Sequence, residues 1–475
     1  MAVEYQKPLV KPIKTPYGFY VYETNQNKLL SIQEPLFRLV EAVLAGDTVA
    51  IGQADPAAVA QYQELQELGY LSCHRVSHLE HPSTQLLPYY LERKIDRMTL
   101  QVTQQCNLRC SYCIYSENAN FTHRSHSSKR LSLETGKRAI DFYYDHSVDC
   151  TQILLSFYGG EPLLEFRLIQ ELVAYAKTKF SGKDLSFALT TNATLLTDEI
   201  IDFFAQEHFY LTISMDGPKD IHDQNRRFAL SDQGSFDVVY RNIEKIKSRH
   251  PEFAQTLALS MVINPDNDYQ HINDLFKDTL LRTISLNASI VESDEQETVI
   301  PQSYRDQSDY QQFLALLSCL EKDSKNDVAK IAVNGLGMAR DRLDRAKPSV
   351  PQNSSIPSGP CLPGKTRLFM DCDGNLFPCE RVSDCSRCMK IGTLEDGFDY
   401  SKIDPLLNIS QLTPEACKDC WAAPLCGVCA KKADVEGAFS STQKLKACEG
   451  SKGYALYLLR LKALFADFRI RTGRR

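Results

Sequence analysis

Eight residues constrain this chain more than any others: Cys106-Asn-Leu-Arg-Cys110-Ser-Tyr-Cys113. Three thiols on one short loop, spaced C-x₃-C-x₂-C, can hold three irons of a cubane [4Fe–4S] cluster, whose full ligand set is four. The fourth iron is then open to a small ligand. The preceding stretch, Met98–Thr103, reads as a strand of β-formers in partial alternation. The thiols therefore fall on the loop after a strand, where α/β barrels carry their chemistry. A zinc loop is the alternative. Zinc favours paired C-x₂-C knuckles totalling four ligands, and no fourth thiol or His lies nearby in register.

The other thiols are unevenly spread. Of 16 cysteines, Cys73, Cys150 and Cys319 are scattered, as inert core cysteines are, while ten lie from Cys361 to Cys448. That density points to metal or clusters. The N-terminus lacks a signal-like pattern and no 18-residue apolar run occurs, so a cytoplasmic protein with no membrane partner is expected, and a disulfide framework is not. Net charge is −6, which provides no basic field for nucleic acid; the basic run Arg469–Arg475 reads as a solvated helix end.

At 475 residues, two or three domains are expected. Residues 1–80 read as a separate unit. Tyr17–Glu23 and Lys28–Gln33 form a hairpin about Asn25-Gln-Asn27, and helices follow at Pro35–Ala45, ended by Gly46, and Pro56–Leu71, capped by Asp55. Strands then helices on this scale describe a winged-helix-like module. Polar residues 78–88 read as a linker. Strands are expected at Met98–Thr103, Ile153–Tyr158, Leu185–Thr190, Tyr210–Met215, Leu257–Ile263 and Ile284–Val291, with helices between them. Six βα units over 90–300 imply an α/β parallel sheet with helices outside. The pattern allows a partial (β/α)₆ barrel and an open doubly wound sheet equally. Residues 301–350 read as a helical bridge ending in a linker, with Pro348–Pro360 rich in Pro and Ser. The cysteine-rich region occupies 351–450, and 451–475 hold a terminal helix, Gly453–Ala466.

The cysteine loop resembles the signature of the radical S-adenosylmethionine (SAM) enzymes, whose fold is the partial (β/α)₆ barrel. The resemblance implies that SAM chelates the open iron through its amino and carboxylate groups, and that Tyr112 lies near the adenine. Tyr158-Gly159-Gly160-Glu161-Pro162 follows the second strand. Its glycines let backbone approach a ligand closely, and Glu161 can accept a hydrogen bond from an ammonium. The resemblance assigns this motif to the SAM amino group. Thr191-Asn192 ends the third strand, and Ser214-Met-Asp216-Gly-Pro218 ends the fourth, with Arg226 beyond. By resemblance Asn192, Ser214 and Arg226 serve the SAM carboxylate and ribose. Taken singly, each is also an ordinary turn or capping residue.

Cys361, Gly374, Cys379, Cys417-x₂-Cys420-x₅-Cys426-x₂-Cys429 and Cys448 resemble the SPASM domain, which holds two auxiliary [4Fe–4S] clusters. The resemblance implies one cluster on Cys361, Cys379 and Cys429, with Cys372 as a further candidate, and a second on Cys417, Cys420, Cys426 and Cys448. The gap before Cys429 is two residues where the pattern has three, which bears on its assignment. Cys385-Ser-Arg-Cys388 is additional: a redox pair, a substrate relay, alternative ligands, or a hairpin tip with exposed thiols. Structural zinc is the rival for the region.

The whole layout resembles maturases of ribosomally made, post-translationally modified peptides (RiPPs). The N-terminal module is similar to their recognition element, to whose sheet edge a leader peptide adds as a strand. This implies a Cys-rich precursor peptide with a leader, a 5′-deoxyadenosyl radical, and thioether (sulfur-to-carbon) links of the ranthipeptide, freyrasin or sactipeptide type. It also implies a flavodoxin- or ferredoxin-type electron donor. The alternatives are a sulfatase-maturing formylglycine generator and a non-catalytic iron–sulfur or zinc protein that binds peptides. No general base stands out beyond the cluster and SAM motifs.

Overall fold

In a computed structural model, which describes residues 6–113, 126–291, 299–320 and 328–472, the chain forms two units, neither continuous in sequence. One gathers Met1–Gln85, Gly337–Cys361 and Asp404–Arg475; the other gathers Leu86–Leu336 and Leu362–Ile403.

The first unit contains the N-terminal module. Strands β1 (Val10–Lys14), β2 (Phe19–Glu23) and β3 (Lys28–Ile32) make an antiparallel sheet in the order β1-β2-β3. The β2–β3 hairpin matches expectation; β1, broken in pattern by Pro12, was not foreseen. Helix α1 (Glu34–Ala45) ends on Gly46 at φ +71°, a left-handed cap that glycine adopts without strain. A short α2 (Thr48–Gly52), capped by the Asp47 carboxylate, precedes α3 (Pro56–Glu67). The last helix stops short of Leu71 because the chain turns through Gly69 at φ +81°. Leu36, Phe37, Val40, Tyr62 and Leu71 bury one face of the sheet under the helices.

The other face is also apolar, and this corrects the expectation of a separate module. Ile13, Tyr20 and Tyr22 pack on Leu425, Ala455, Leu459 and Ala463. The Asp467 carboxylate accepts from Thr15 Oγ1 (2.6 Å) and from the Tyr20 hydroxyl. A three-stranded sheet with two apolar faces needs cover on both, and the C-terminal residues supply the second. The two expected linkers are packed structure as well. His78–Leu79 pairs in parallel with Ser354–Ser355, and Ser358 Oγ donates to Cys426 O (3.0 Å). The terminal helix runs Ser441–Thr472, starting well before the expected Gly453. The last three residues of the basic tail lie outside the described residues.

The second unit holds the parallel sheet: β4 (Arg97–Thr103), β5 (Gln152–Gly159), β6 (Asp184–Thr191), β7 (Phe209–Ser214), β8 (Ala258–Ile263) and β9 (Ser285–Ile290). They lie side by side in chain order. A doubly wound sheet reverses its order at a switch point; this one does not, which leaves the partial-barrel winding. Beyond β4 the sheet continues through β10 (Leu368–Met370), parallel to it, then β11 (Asn375–Phe377), β12 (Gly392–Thr393) and β13 (Gly397–Phe398), antiparallel. The expected 351–450 domain is therefore divided, its first part extending the barrel sheet.

Alternation along β5–β8 sorts the two faces. Phe157, Phe187, Leu211 and Met261 are buried; Phe187 and Phe209 stack under Phe203 and Phe204 of the helix Asp198–Gln206. The opposite face carries Ser156, Tyr158, Ala188, Thr190, Thr212, Ser214 and Ser260, all half-buried. Apart from Tyr158, which packs edge-on against Phe369, these are small and mostly hydroxyl-bearing side chains. No described helix is long and apolar enough to cross a membrane.

Candidate active site

The cysteine loop leaves β4 and is tied down along both edges. On one side Arg109 N–H donates to Arg227 O (2.8 Å) and Ala229 N–H to Asn107 O (2.9 Å). On the other, Gly160 N–H donates to Thr103 O (2.9 Å) and Glu161 N–H to Gln105 O (2.8 Å). A Cβ on Gly159 would stand 2.1 Å from Thr103 O, and one on Gly160 2.1 Å from Gln105 O. The glycines thus let two backbones of the protein meet, where the sequence reading had them facing a ligand. Their work is to press the β5 turn against the cysteine loop.

Glu161 is fully buried. Its Oε1 accepts from Thr191 Oγ1 (2.7 Å) and Leu163 N–H (3.0 Å), and Oε2 accepts from Asn192 N–H (2.8 Å). Burial pushes its pKa up to about 7. A carboxylate offers about four acceptor positions, and three of them are filled by these donors. Asn192 reaches on: its Nδ2 donates to Asn107 Oδ1 (2.9 Å) and points at Cys106 Sγ (3.8 Å).

Asp216, quoted in its motif but given no role from sequence, is the hub of the opposite wall. Its carboxylate takes a bidentate pair from Arg226, Nε to Oδ2 (2.9 Å) and Nη2 to Oδ1 (3.1 Å), with Val262 N–H on Oδ1 (3.1 Å). The Tyr112 hydroxyl donates to Oδ2, and the Arg226 guanidinium lies 5.5 Å over the Tyr112 ring. One buried aspartate therefore unites four elements: the cysteine loop, the end of β7, β8 at Val262 and the segment at Arg226. His222 supports it from behind, its Nδ1 accepting from Asp216 N–H (3.4 Å) and its Nε2 pairing with Ser235 Oγ (2.9 Å). The Tyr112 and Val262 pairings join residues 104 and 46 positions from Asp216, while His222 and Arg226 reach it from the adjoining segment. Ser214 lies on the open face at the end of β7, level with Ser260 of β8. All the residues expected at the SAM site are thus on or beside the ends of β4–β7.

The thiols themselves suit a cluster. Leu108 N–H and Asn192 Nδ2 are aimed at Cys106 Sγ (3.4 and 3.8 Å), and Arg226 Nη1 stands 4.0 Å from Cys110 Sγ. Burial pushes Cys106 up to about 12 and Cys110 to about 11. Such thiols become thiolates only when a metal replaces the proton, and donors directed at sulfur are what tune a bound iron–sulfur cluster.

In the first unit, Cys417, Cys420, Cys426 and Cys448 are linked by hydrogen bonds: Cys420 N–H donates to Cys417 O (3.4 Å), Lys444 Nζ to Cys417 Sγ (3.2 Å), Cys448 Sγ to Lys444 O (3.5 Å), and Ser451 Oγ, on the next turn, to Cys426 Sγ (3.7 Å). Arg342 Nη2 holds their loop through Leu425 O (3.0 Å) and Cys426 O (2.8 Å). These are the four expected on one auxiliary cluster. Of the other set, Cys361 and Cys429 belong to this unit and Cys372 and Cys379 to the other. Cys372 is buried and donates to Gln101 O of β4 (3.3 Å). Cys385 is exposed and Cys388 half-buried. Among the described residues no three Cys, His, Asp or Glu groups converge closely enough for one metal ion.

Residues 100–278 match the Radical SAM superfamily. An uncharacterised protein of Methanocaldococcus jannaschii is 32% identical over 163 residues, 34% of this chain and 52% of that protein. The serine-type anaerobic sulfatase-maturating enzyme of Bacteroides thetaiotaomicron is 31% identical over 157 residues, 33% of this chain and 37% of that enzyme. The chain thus spans about half or less of these two relatives. The cysteine-type anaerobic sulfatase-maturating enzyme of Clostridium perfringens is 26% identical over 332 residues, 68% of this chain and 84% of that enzyme. The solved structure of anSMEcpe with bound AdoMet shares the fold, with TM-score 0.55 at 18% identity over 76% of this chain and 98% of that one. The chain contains a radical SAM domain at residues 100–278 and is homologous to the anaerobic sulfatase-maturating enzymes.

Proposed function

We propose that this chain is a radical SAM enzyme that modifies a ribosomally made, Cys-rich precursor peptide, forming thioether crosslinks. The observation that carries the reading is the Cys106–Cys110–Cys113 loop, built into a frame of Glu161, Asn192, Asp216 and Arg226, in a chain with a second gathered group of four thiols. When bound, the cluster and SAM supply one-electron cleavage chemistry and a 5′-deoxyadenosyl radical. Cys106, Cys110 and Cys113 would hold that cluster. Glu161 offers its remaining acceptor to the SAM ammonium. Asp216 fixes Arg226 and Tyr112, leaving Ser214 and the hydroxyl-rich face of β5–β8 to receive the reacting parts. Cys417, Cys420, Cys426 and Cys448 would hold an auxiliary cluster, and a flavodoxin- or ferredoxin-type donor supplies electrons.

The N-terminal sheet supports a leader-bearing substrate. Its edge strand β1 carries Pro12, Lys11 and Lys14, which discourage strand addition. The other edge, β3, has no Pro and no second strand partner among the described residues. A leader adding to β3 completes the sheet. The cysteine-type sulfatase-maturating relative, 84% of whose length is matched, favours a second reading, maturation of a sulfatase cysteine.

The test is anaerobic reconstitution with iron and sulfide, followed by dithionite and SAM. Three cubanes require about twelve irons per chain. Deoxyadenosine should form, and should vanish when Cys106, Cys110 and Cys113 are changed to Ala. A leader-bearing, Cys-rich peptide should lose two hydrogens per link, one from C–H and one from S–H, as each C–S bond forms. Zinc in place of iron, or no deoxyadenosine, overturns the reading. Processing of a sulfatase peptide with the Cys-rich peptide untouched transfers it to the second.

A further inference from the structure

Lys444 is buried, with 3% of its surface exposed. It lies in the first turn of the terminal helix Ser441–Thr472. Its ammonium donates to Cys417 Sγ (3.2 Å) and to Thr413 Oγ1, and neither of these partners is a carboxylate. Among the described residues its hydrogen-bond partners are a hydroxyl and a sulfur, with no carboxylate to return the hydration energy that a cation loses on burial. The arrangement becomes favourable when the sulfur is an anionic thiolate.

The same helix face carries more of the site. Cys448 follows one turn later, its Sγ donating back to Lys444 O (3.5 Å). Ser451 Oγ accepts from Gly427 N–H (2.9 Å) and donates to Cys426 Sγ (3.7 Å). Lys452 lies one turn beyond Cys448 on the same helix. Positions 444, 448, 451 and 452 share one face at helical spacing. One stripe thus delivers a thiol, a hydroxyl and two cations to the four-cysteine site.

We propose that Lys444 is an electrostatic positioning residue that raises the reduction potential of the cluster held by Cys417, Cys420, Cys426 and Cys448, with Lys452 as a weaker outer cation. The inference rests on the cluster reading above. On reduction the cluster takes one electron and gains one negative charge. A fixed cation beside a ligand sulfur stabilises that more negative state most, by Coulomb attraction in a medium less polar than water.

The test is a potentiometric titration of the reconstituted full chain, with dithionite as reductant and the auxiliary signals followed by electron paramagnetic resonance. Lys444→Met should move one auxiliary midpoint to a more negative potential with iron content unchanged, and Lys444→Arg should restore it. Lys452→Met should move the same midpoint in the same direction by less, and serves alone if Lys444→Met does not fold. Wild-type midpoints in both Met variants overturn the proposal, as does equal iron loss in Lys444→Met and Lys444→Arg, which would show that Lys444 only packs. Absence of iron from the wild-type protein overturns the underlying cluster reading instead.

Discussion

His222 shows how a single side chain fixes a site from behind. It is fully buried, and both ring nitrogens are committed: Nδ1 accepts from Asp216 N–H, while Nε2 pairs with Ser235 Oγ, which itself donates to Arg226 O (2.8 Å). A second ring proton would face a donor, so the imidazole is held neutral, and burial lowers its pKa to about 4. Between about 6.5 and about 4 the unfolded chain binds a proton that the native protein refuses. Stability from this group is therefore full above about 6.5 and declines as pH falls through that window, by about 3 kcal/mol in all. Urea unfolding at pH 7 and pH 5 should show this loss in the wild type and a smaller one in His222→Gln. Equal pH slopes in the two proteins would refute it. Nothing in the sequence marked His222, because its significance comes from contacts with Asp216 and Ser235 that folding creates.

Among the elements, the β5 turn and the cysteine loop act as one piece. The Gly-Gly-Glu-Pro motif was legible as a site motif, but its reason was not: the glycines are required by the carbonyls of Thr103 and Gln105, which only the pairing of β4 with β5 brings near. In Gly160→Ala the new methyl meets backbone at 2.1 Å and no flexible side chain can yield. The loop must move, and Cys106 with it. Iron should fall by about four per chain, leaving the about eight of the auxiliary clusters, and deoxyadenosine formation should drop with it. Full iron and wild-type activity in this variant would show that the loop tolerates the displacement.

Across the whole molecule, the N-terminal module is bound into the first unit by its second apolar face. Deleting residues 1–80 uncovers Leu425, Ala455, Leu459 and Ala463 and removes the partners of Asp467. The truncated chain should aggregate or lose the iron of the Cys417–Cys448 group, which analytical gel filtration and iron assay would detect. Deletion is thus a poor probe of leader binding. Ser31→Pro, at an exposed position of β3, should abolish leader-dependent processing yet keep soluble protein and SAM cleavage. Processing that persists in Ser31→Pro would remove β3 as the leader edge.

The sequence by itself determined what local pattern can carry. The spacing of Cys106, Cys110 and Cys113, the alternation of strands with helices over 90–300, and the strand-end motifs at Glu161, Asn192 and Ser214 depend on neighbours in the chain. Tertiary structure alone decided the rest. Sequential strand order separated a barrel winding from a doubly wound sheet. Packing turned two Pro- and Ser-containing linkers into straps, divided the cysteine-rich region between two units, and placed Lys444 against Cys417. Each of these is a pairing between distant segments, and a hydrogen bond or an apolar contact leaves no trace in sequence until folding brings its two halves together.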